Sequence, residues 1–156
     1  MPNNNQEAAD PRTVTKEQLE LSPIDKVLCL QNVDIFRYAT TDMLAYISSI
    51  AREKRVPART VIFSEQEMSD SMYVVVRGRV RLEKEGTELV AEQCQSFGTW
   101  ALLDEAPRLM TATAIEDTLM LTISRAEFYD FLADHEEVTP AIFKAVIERV
   151  KNLAHD

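Results

Sequence analysis

Residues 71–83 of the chain read SMYVVVRGRVRLE, and this stretch decides which kind of fold the sequence can form. Three consecutive valines are followed by Arg77-Gly78-Arg79, after which Val80 and Leu82 alternate with charged residues. Alternation of this kind places one set of side chains on each face of a strand, so one face is predicted to point into a core. Gly78 tolerates the positive φ of a tight turn, which predicts two strands joined at this glycine.

Similar short runs lie on both sides of this stretch. They are TVIF at 60–63, TELVAEQ at 87–93, MTATAI at 110–115 and TLMLTI at 118–123, with a second glycine turn at Glu85-Gly86-Thr87. Each run is short, rich in β-branched residues and bounded by residues that favour turns. The centre of the chain is therefore predicted to be all β.

Helix signals lie outside this β region. Ser22-Pro23-Ile24-Asp25 has the order of an N-cap, a proline at the first helical position and an acid at the third. A second helix is predicted to begin near Thr40. Ser124-Arg125-Ala126-Glu127 has the pattern of a capping box, and Thr139-Pro140 opens a last helix. The apolar residues of this last helix are predicted to form one stripe, made of Ile142, Phe143, Val146, Ile147, Val150 and Leu153.

The order of these segments predicts an α+β fold. We expect an antiparallel, jelly-roll-like β-roll of about eight strands, with N-terminal helices and two C-terminal helices gathered at its ends. Residues 1–21 are rich in Asn, Gln, Pro and charge, which predicts a disordered tail. Residues 22–156 are predicted to form one domain.

Composition excludes several classes of function. The formal charge of −9 repels nucleic-acid backbones and anionic lipid, so neither nucleic acid nor direct membrane insertion is expected. The polar N-terminus is unlike a signal peptide, and no apolar run approaches the ~20 residues that span a bilayer. These features predict a cytoplasmic protein. Cys29 and Cys94 could form one disulfide, but reduced thiols are the expectation in such a protein.

Catalysis is not expected from this sequence. The two histidines, His135 and His155, lie near the C-terminal helices and far from the predicted strands, so a β-roll metal site lacks its ligands. No histidine lies close in sequence to Cys94 to activate it as a nucleophile. The chain is therefore predicted not to be an enzyme and to carry no metal or cofactor.

Residues 97–114, FGTWALLDEAPRLMTATA, hold the motif that points to a function. A glycine, small and apolar residues and the pair Pro107-Arg108 together can surround a small anion with backbone N–H groups and one guanidinium. In this β context the segment resembles the phosphate-binding cassette of cyclic nucleotide-binding domains, such as those of the bacterial catabolite activator protein and protein kinase A regulatory subunits. The match comprises Phe97-Gly98, Ala101-Leu102, Pro107-Arg108, Thr111 and Ala114, within a resemblance that covers about residues 24 to 153.

The resemblance implies a regulatory module that binds a cyclic nucleotide, with cAMP as the favoured ligand. Its predicted ligand-binding residues are Gly98, Thr99, Trp100, Ala101, Leu102, Arg108, Leu109 and Met110. Backbone N–H groups around Ala101-Leu102 and Leu109 would complete the cradle of the phosphate. A hydroxyl beside the arginine often holds the guanine amino group in this family, and Leu109 and Met110 have none, so cGMP is not expected to be preferred.

The chain departs from the family pattern at the sugar end of the predicted site. Thr99 stands where the family has the Glu that holds the ribose 2′-hydroxyl, and Gln66 and Ser69 replace two glycines of an earlier turn. Leu109 and Met110 are bulkier than the family's usual residues. The alternative hypothesis is a degenerate domain that binds no nucleotide and acts as an interaction or dimerisation scaffold.

The residues of the motif also have structural interpretations. Arg108 could close a loop or pair with an acid, Thr99 could cap the short helix that follows it, and Trp100 could belong to the core. The apolar last helix could dock on its own domain, form a homodimer or attach the domain to a larger protein. No helix-turn-helix pattern follows this helix, so a DNA-binding regulator is not expected.

Overall fold

A computed structural model describes residues 21–154 of the chain. The predicted tail falls almost entirely outside these residues, and so does His155. The helices are α1 (Pro23–Leu30), α2 (Thr41–Ser48), α3 (Arg125–Asp134) and α4 (Val138–Ala154), with short 3-10 helices at Asp34–Phe36 and Thr99–Leu102. The strands are β1 (Arg52–Val56), β2 (Val61–Phe63), β3 (Ser71–Arg77), β4 (Val80–Lys84), β5 (Thr87–Ala91), β6 (Ser96–Phe97), β7 (Thr111–Ala114) and β8 (Thr118–Ser124).

The strands form two antiparallel four-stranded sheets. One has the order β1-β8-β3-β6 and the other the order β2-β7-β4-β5. Helices precede and follow this β-roll in the chain, so the predicted α+β architecture is confirmed. The predicted glycine turns are present as well, with φ of 96° at Gly78 and 76° at Gly86.

Two apolar cores explain why β3 is a continuous apolar run instead of an alternating one. Val74 and Val76 pack with the helices in the first core, whereas Tyr73 and Val75 pack between the two sheets in the second. Both faces of β3 are therefore buried, and only its last residue, Arg77, is exposed.

The capping pattern predicted from the sequence is fully formed at α1 and half formed at α3. The capping box at Ser22 and Asp25 is complete, with each side chain accepting a hydrogen bond from the other residue's backbone N–H. At α3, the Ser124 hydroxyl accepts from the Glu127 N–H, but no reciprocal bond is formed. The Glu127 carboxylate instead pairs with the Arg52 guanidinium at 2.7 Å, because β1 lies beside the start of this helix.

The prediction of two reduced thiols is wrong for this structure, in which Cys29 and Cys94 form a disulfide. Their 65-residue separation gives no pairing signal in the sequence. The pair forms because Cys94 adopts a left-handed conformation, with φ of 60°, in the turn after β5, and its N–H donates to the Val75 carbonyl at 2.7 Å. This turn brings Cys94 to the C-terminal end of α1, with the two Cα atoms 4.6 Å apart.

The predicted single stripe of α4 is divided between two faces. Ile142 is 5% exposed and packs in the helical core, with Val146 partly buried against it. The remaining four residues of the stripe are exposed by half or more; they are Phe143 (64%), Ile147 (51%), Val150 (58%) and Leu153 (69%). One face of α4 thus docks on the domain, and the other presents apolar side chains to solvent.

Candidate ligand-binding site

The segment between β6 and β7 folds around the side chain of Arg108. Gly98 adopts a left-handed conformation with φ of 65° and begins the 3-10 helix Thr99–Leu102, called here the cassette helix. A Cβ atom on Gly98 would lie 2.6 Å from Arg108 Nη1, which is closer than van der Waals contact permits. Glycine is therefore required here both by the backbone turn and by the closeness of the guanidinium.

The Arg108 side chain is 6% exposed and is held on two sides. Its Nη2 donates to the Ser71 carbonyl at 2.7 Å, and the guanidinium carbon lies 4.0 Å from the centre of the Phe63 ring. Burial lowers the pKa of the Arg108 guanidinium, because desolvation disfavours its charged form. The group nevertheless keeps its proton at neutral pH, so a buried positive charge faces this site.

Among residues 21–154 this charge has no directly paired carboxylate, although the more distant Asp70 and Glu67 partly offset it. No carboxylate of the described chain lies within 4.0 Å of the Arg108 guanidinium, and the buried Nε has no hydrogen-bond partner. A buried donor without a partner costs about 1–3 kcal/mol, and more when the group is charged. An anion seated beside Arg108 would supply both the missing charge and an acceptor.

The backbone on either side of Arg108 is fixed by the turn between β2 and β3. The Arg108 N–H donates to the Glu67 carbonyl at 2.7 Å, and the Gln66 N–H donates to the Arg108 carbonyl at 2.8 Å. Gln66 takes a left-handed φ of 73°, a conformation that favours glycine, so it keeps the turn of the family's glycine with a different residue. These two bonds hold the Arg108 backbone against the β2–β3 turn.

A cavity of about 400 Å³ opens next to this guanidinium. Seven of the eight predicted ligand-binding residues line it, namely Gly98, Thr99, Trp100, Ala101, Arg108, Leu109 and Met110. The eighth, Leu102, is fully buried in the helical core instead. The wall is completed by Phe63, Ser69, Leu82, Asp104, Ala106 and Pro107. The cavity thus combines a mostly apolar wall with one buried cation.

The hydroxyl groups of this wall are engaged within the protein. Thr99 Oγ1 donates to Ser96 Oγ at 3.2 Å, and Thr99 is 9% exposed. Ser69 Oγ donates to the Ala106 carbonyl at 2.7 Å and is likewise buried. Each hydroxyl uses its proton within the protein, so towards a ligand it can act only as a neutral acceptor.

The backbone donors predicted to cradle an anion differ in availability. The Ala101 N–H is occupied, since it donates to the Gly98 carbonyl at 3.1 Å within the cassette helix. The Leu109 N–H, in the loop beside Arg108, donates no hydrogen bond within the described part of the chain. Leu109 and Arg108 therefore offer neighbouring donors on one side of the cavity.

Sequence reasoning missed Arg125, which holds the outer side of the cassette. Its Nη1 donates to three carbonyls, those of Ser69 at 3.0 Å, Ala101 at 2.9 Å and Asp104 at 3.3 Å. In the sequence this arginine is only the second residue of a helix-capping pattern, and no local signal marks its reach across the fold. Arg125 ties the β2–β3 turn to the cassette helix, so it positions the wall of the cavity.

Trp100 connects the cavity to the last helix. Its indole is 39% exposed, so it is neither core nor fully solvated. The Arg149 guanidinium of α4 lies 4.7 Å from the centre of this ring, and Arg149 Nη1 also pairs with Asp34 Oδ2 at 3.4 Å. The wall of the cavity and α4 therefore share one cation–π contact.

Beyond this cavity, the described chain has two further open clefts, one of them lined by Arg77, Asp117 and other residues near the end of β1. No group of three or more His, Cys, Asp or Glu side chains among residues 21–154 is arranged to hold a metal ion. The same residues include no helix that is long and apolar enough to cross a membrane. An open cleft of about 510 Å³ near the β4–β5 turn is lined by four glutamates and one lysine, so its net charge is negative and disfavours anions.

Comparison with known proteins identifies the class. The sequence pattern of the cyclic nucleotide-binding domain matches residues 53–135, which include both sheets and the whole cavity wall. The chain therefore belongs to the cyclic nucleotide-binding domain family, and its fold is that of a regulatory domain of this type.

Individual relatives place this domain in different contexts. Lysophospholipase NTE1 of Chaetomium globosum is 33% identical over 108 residues, which are 65% of this chain and 7% of that protein. The CRP-like cAMP-activated global transcriptional regulator of Mycobacterium tuberculosis is 21% identical over 128 residues, 78% of this chain and 57% of that protein. The chain thus spans a small part of the first relative and just over half of the second.

Solved structures share the fold. The N-terminal domain of a transcriptional regulator from Streptomyces coelicolor A3(2) superposes with a TM-score of 0.75 at 24% identity, covering 81% of this chain and 93% of that one. The regulatory domain of Toxoplasma gondii PKA, crystallised with cAMP, gives 0.65 at 23% identity, covering 74% and 48%. At these identities the likeness establishes the architecture alone.

Proposed function

We propose that the chain is a regulatory module that binds cAMP in the cavity beside Arg108. The observation that carries this proposal is the buried guanidinium of Arg108, whose Nε lacks a partner at the edge of a cavity of about 400 Å³. The single negative charge of a cyclic phosphate matches the single positive charge of this side chain. Charge-assisted hydrogen bonds from Arg108, with the Leu109 N–H beside it, would hold the phosphate.

The remainder of the cavity suits the body of a nucleotide. Phe63, Leu82 and Trp100 offer apolar and aromatic surface against which a base or sugar can pack. Leu109 and Met110 carry no hydroxyl to receive the guanine amino group, so cAMP is proposed over cGMP. Family membership supports the class of ligand, and the M. tuberculosis relative is named as cAMP-activated.

Calorimetric titration with cAMP and cGMP tests this function. Wild-type protein should bind cAMP, and more tightly than cGMP. Arg108→Ala should weaken cAMP binding by at least about 100-fold, since two charge-assisted hydrogen bonds at ~1.5 kcal/mol each are lost. Arg79→Ala is the matched control, because Arg79 is an exposed arginine paired with Glu116 at 3.5 Å and lies outside the cavity wall.

Two results of this titration, and one result of a thermal-shift measurement, would contradict the proposal. Tighter binding of cGMP would refute the choice of ligand, and equal losses in the two arginine variants would refute the role of Arg108. Absence of any thermal shift with wild-type protein at millimolar cAMP would refute binding itself, since a ligand at 100 times its Kd adds about 2.7 kcal/mol of stability.

A second candidate function, a dimerisation scaffold, is favoured by the outer face of α4. Its four exposed apolar residues follow one another at intervals of four, three and three, which is close to the spacing of a coiled-coil seam. This self-complementary pattern fits a second copy of the chain, aligned helix to helix. Sedimentation equilibrium should then show a dimer that Ile147→Glu dissociates; a monomer at all concentrations would refute this function.

We also propose that the domain has no catalytic site of its own and works in the cytoplasm. The lysophospholipase relatives carry the similarity in only 7–8% of their length, so their activity is not transferred to this chain. Because disulfides are rare in the cytoplasm, the oxidation state of the Cys29–Cys94 pair in cells tests this location, and a disulfide there would contradict it. Mass spectrometry of alkylated protein from intact cells decides this point, since free thiols at both positions support the cytoplasm.

A further inference from the structure

The polar groups of the cavity wall differ in what they can offer a ligand. They are the side chains of Ser69, Thr99, Asp104 and Arg108. Arg108 can only donate, and the hydroxyls of Ser69 and Thr99 are engaged with the Ala106 carbonyl and Ser96 Oγ. A hydroxyl group on the ligand's sugar therefore finds neutral acceptors on this wall but no buried carboxylate.

Asp104 is the one carboxylate of the wall, and it is exposed to solvent. Its backbone is fixed, because its N–H donates to the Trp100 carbonyl at 2.9 Å and its own carbonyl accepts from Arg125 at 3.3 Å. A sugar hydroxyl that bonded to this carboxylate would only replace water, and such an exchange gains little.

The phosphate end of the same cavity is built in the opposite way. Arg108 is buried, charged and without a partner at Nε, and the Leu109 N–H beside it is unused within the described residues. The only buried charge that the cavity wall offers to a ligand therefore faces its anionic group. The rest of the ligand meets Phe63, Leu82 and other apolar side chains.

We propose that this site recognises cyclic phosphodiesters by their phosphate and apolar body and does not read the 2′-hydroxyl of the sugar. The ligand class then includes 2′-deoxy cyclic nucleotides on equal terms with cAMP. This inference rests on the proposed function, because it specifies which features of a ligand the same cavity selects.

Titration with cAMP and 2′-deoxy-cAMP tests this selectivity. Wild-type protein should bind the two nucleotides with Kd values within about twofold of each other. Thr99→Glu places a carboxylate on the cavity wall and should raise the preference for cAMP to about tenfold, the difference between a charged and a neutral acceptor. Thr87→Glu adds the same charge on the exposed strand β5 and should leave the ratio of Kd values at the wild-type level.

The possible outcomes distinguish a failure of this inference from a failure of the proposed cAMP binding. A wild-type preference for cAMP of tenfold or more overturns the inference while leaving cAMP binding intact, and its loss in Asp104→Asn would assign the sugar contact to that carboxylate. Equal binding that Thr99→Glu does not change overturns the assignment of selectivity to position 99. Absence of binding by either nucleotide overturns both the inference and the proposed function.

Discussion

Replacing Gly98 by alanine isolates the contact between the cassette backbone and Arg108. Gly98 has a φ of 65°, and an added Cβ would lie 2.6 Å from Arg108 Nη1. Gly86 provides a matched control, because its φ is 76° and an added Cβ would meet nothing within 4 Å. Both alanines carry the strain of a left-handed conformation, but only one displaces the guanidinium.

The two costs can be estimated separately. A non-glycine residue in the left-handed region is strained by about 1–2 kcal/mol, which is the whole expected loss for Gly86→Ala. In Gly98→Ala the guanidinium must also move away, although it is fixed by the 2.7 Å bond to the Ser71 carbonyl and by the Phe63 ring. Loss of a hydrogen bond from a charged group adds about 1.5–3 kcal/mol. The free energy of unfolding should therefore fall by about 3–4 kcal/mol in this variant.

Urea denaturation and cAMP titration of both variants measure these effects. Gly86→Ala should keep the wild-type affinity within about twofold, whereas Gly98→Ala should weaken binding by at least about tenfold, because Arg108 no longer points at the phosphate. Equal destabilisation of the two variants, together with unchanged affinity in Gly98→Ala, would refute the idea that this glycine sets the position of Arg108.

Two further predictions concern the stability of the fold. Reduction of the disulfide between Cys29 and Cys94 should lower the free energy of unfolding by about 2–4 kcal/mol, since it frees a 65-residue loop in the unfolded chain. Urea denaturation curves with and without dithiothreitol measure this loss. A Cys29→Ala/Cys94→Ala variant whose stability still changed with reductant would contradict the prediction. Burial raises the pKa of the Tyr73 hydroxyl, so the folded state favours the neutral phenol, and stability should be full below the ordinary tyrosine pKa and fall as the pH rises above it. Tyr73→Phe should flatten this alkaline fall above the ordinary tyrosine pKa, and an unchanged slope would show that Tyr73 does not cause it.

The strands that sequence reasoning found are those whose side chains carry a strong pattern. The alternation after Gly78 and the valines of β3 are local signals, and both strands are present. β1 was missed because four of its five residues, Arg52-Glu53-Lys54-Arg55, are charged. This strand lies at the edge of its sheet, where charged side chains face solvent and protect the free edge, so no apolar periodicity marks it.

Most of the cavity wall could be predicted because it lies in one continuous motif. The exception, Leu102, follows from helical geometry, since a short helix must bury one side while the other borders the cavity. Phe63, Leu82 and Arg125 could not be predicted, because they come from three other elements and no local pattern relates them to the motif. The same limit applies to the disulfide, whose cysteines are 65 residues apart in sequence and lie together only in the folded chain.

The replacement of the family's glutamate by Thr99 changes the balance of charge around Arg108. A glutamate at position 99 would place a carboxylate on the wall that also carries the buried Arg108 guanidinium, where it would partly balance that charge. With Thr99 there, the hydroxyl turns to Ser96, and Arg108 keeps its positive charge without a close counter-ion in the described chain. The desolvation cost of this charge is part of the folded state, and a bound anion relieves it. A site without a charged sugar contact would therefore still gain affinity for an anion from a buried guanidinium that has no carboxylate within 4.0 Å among the described residues.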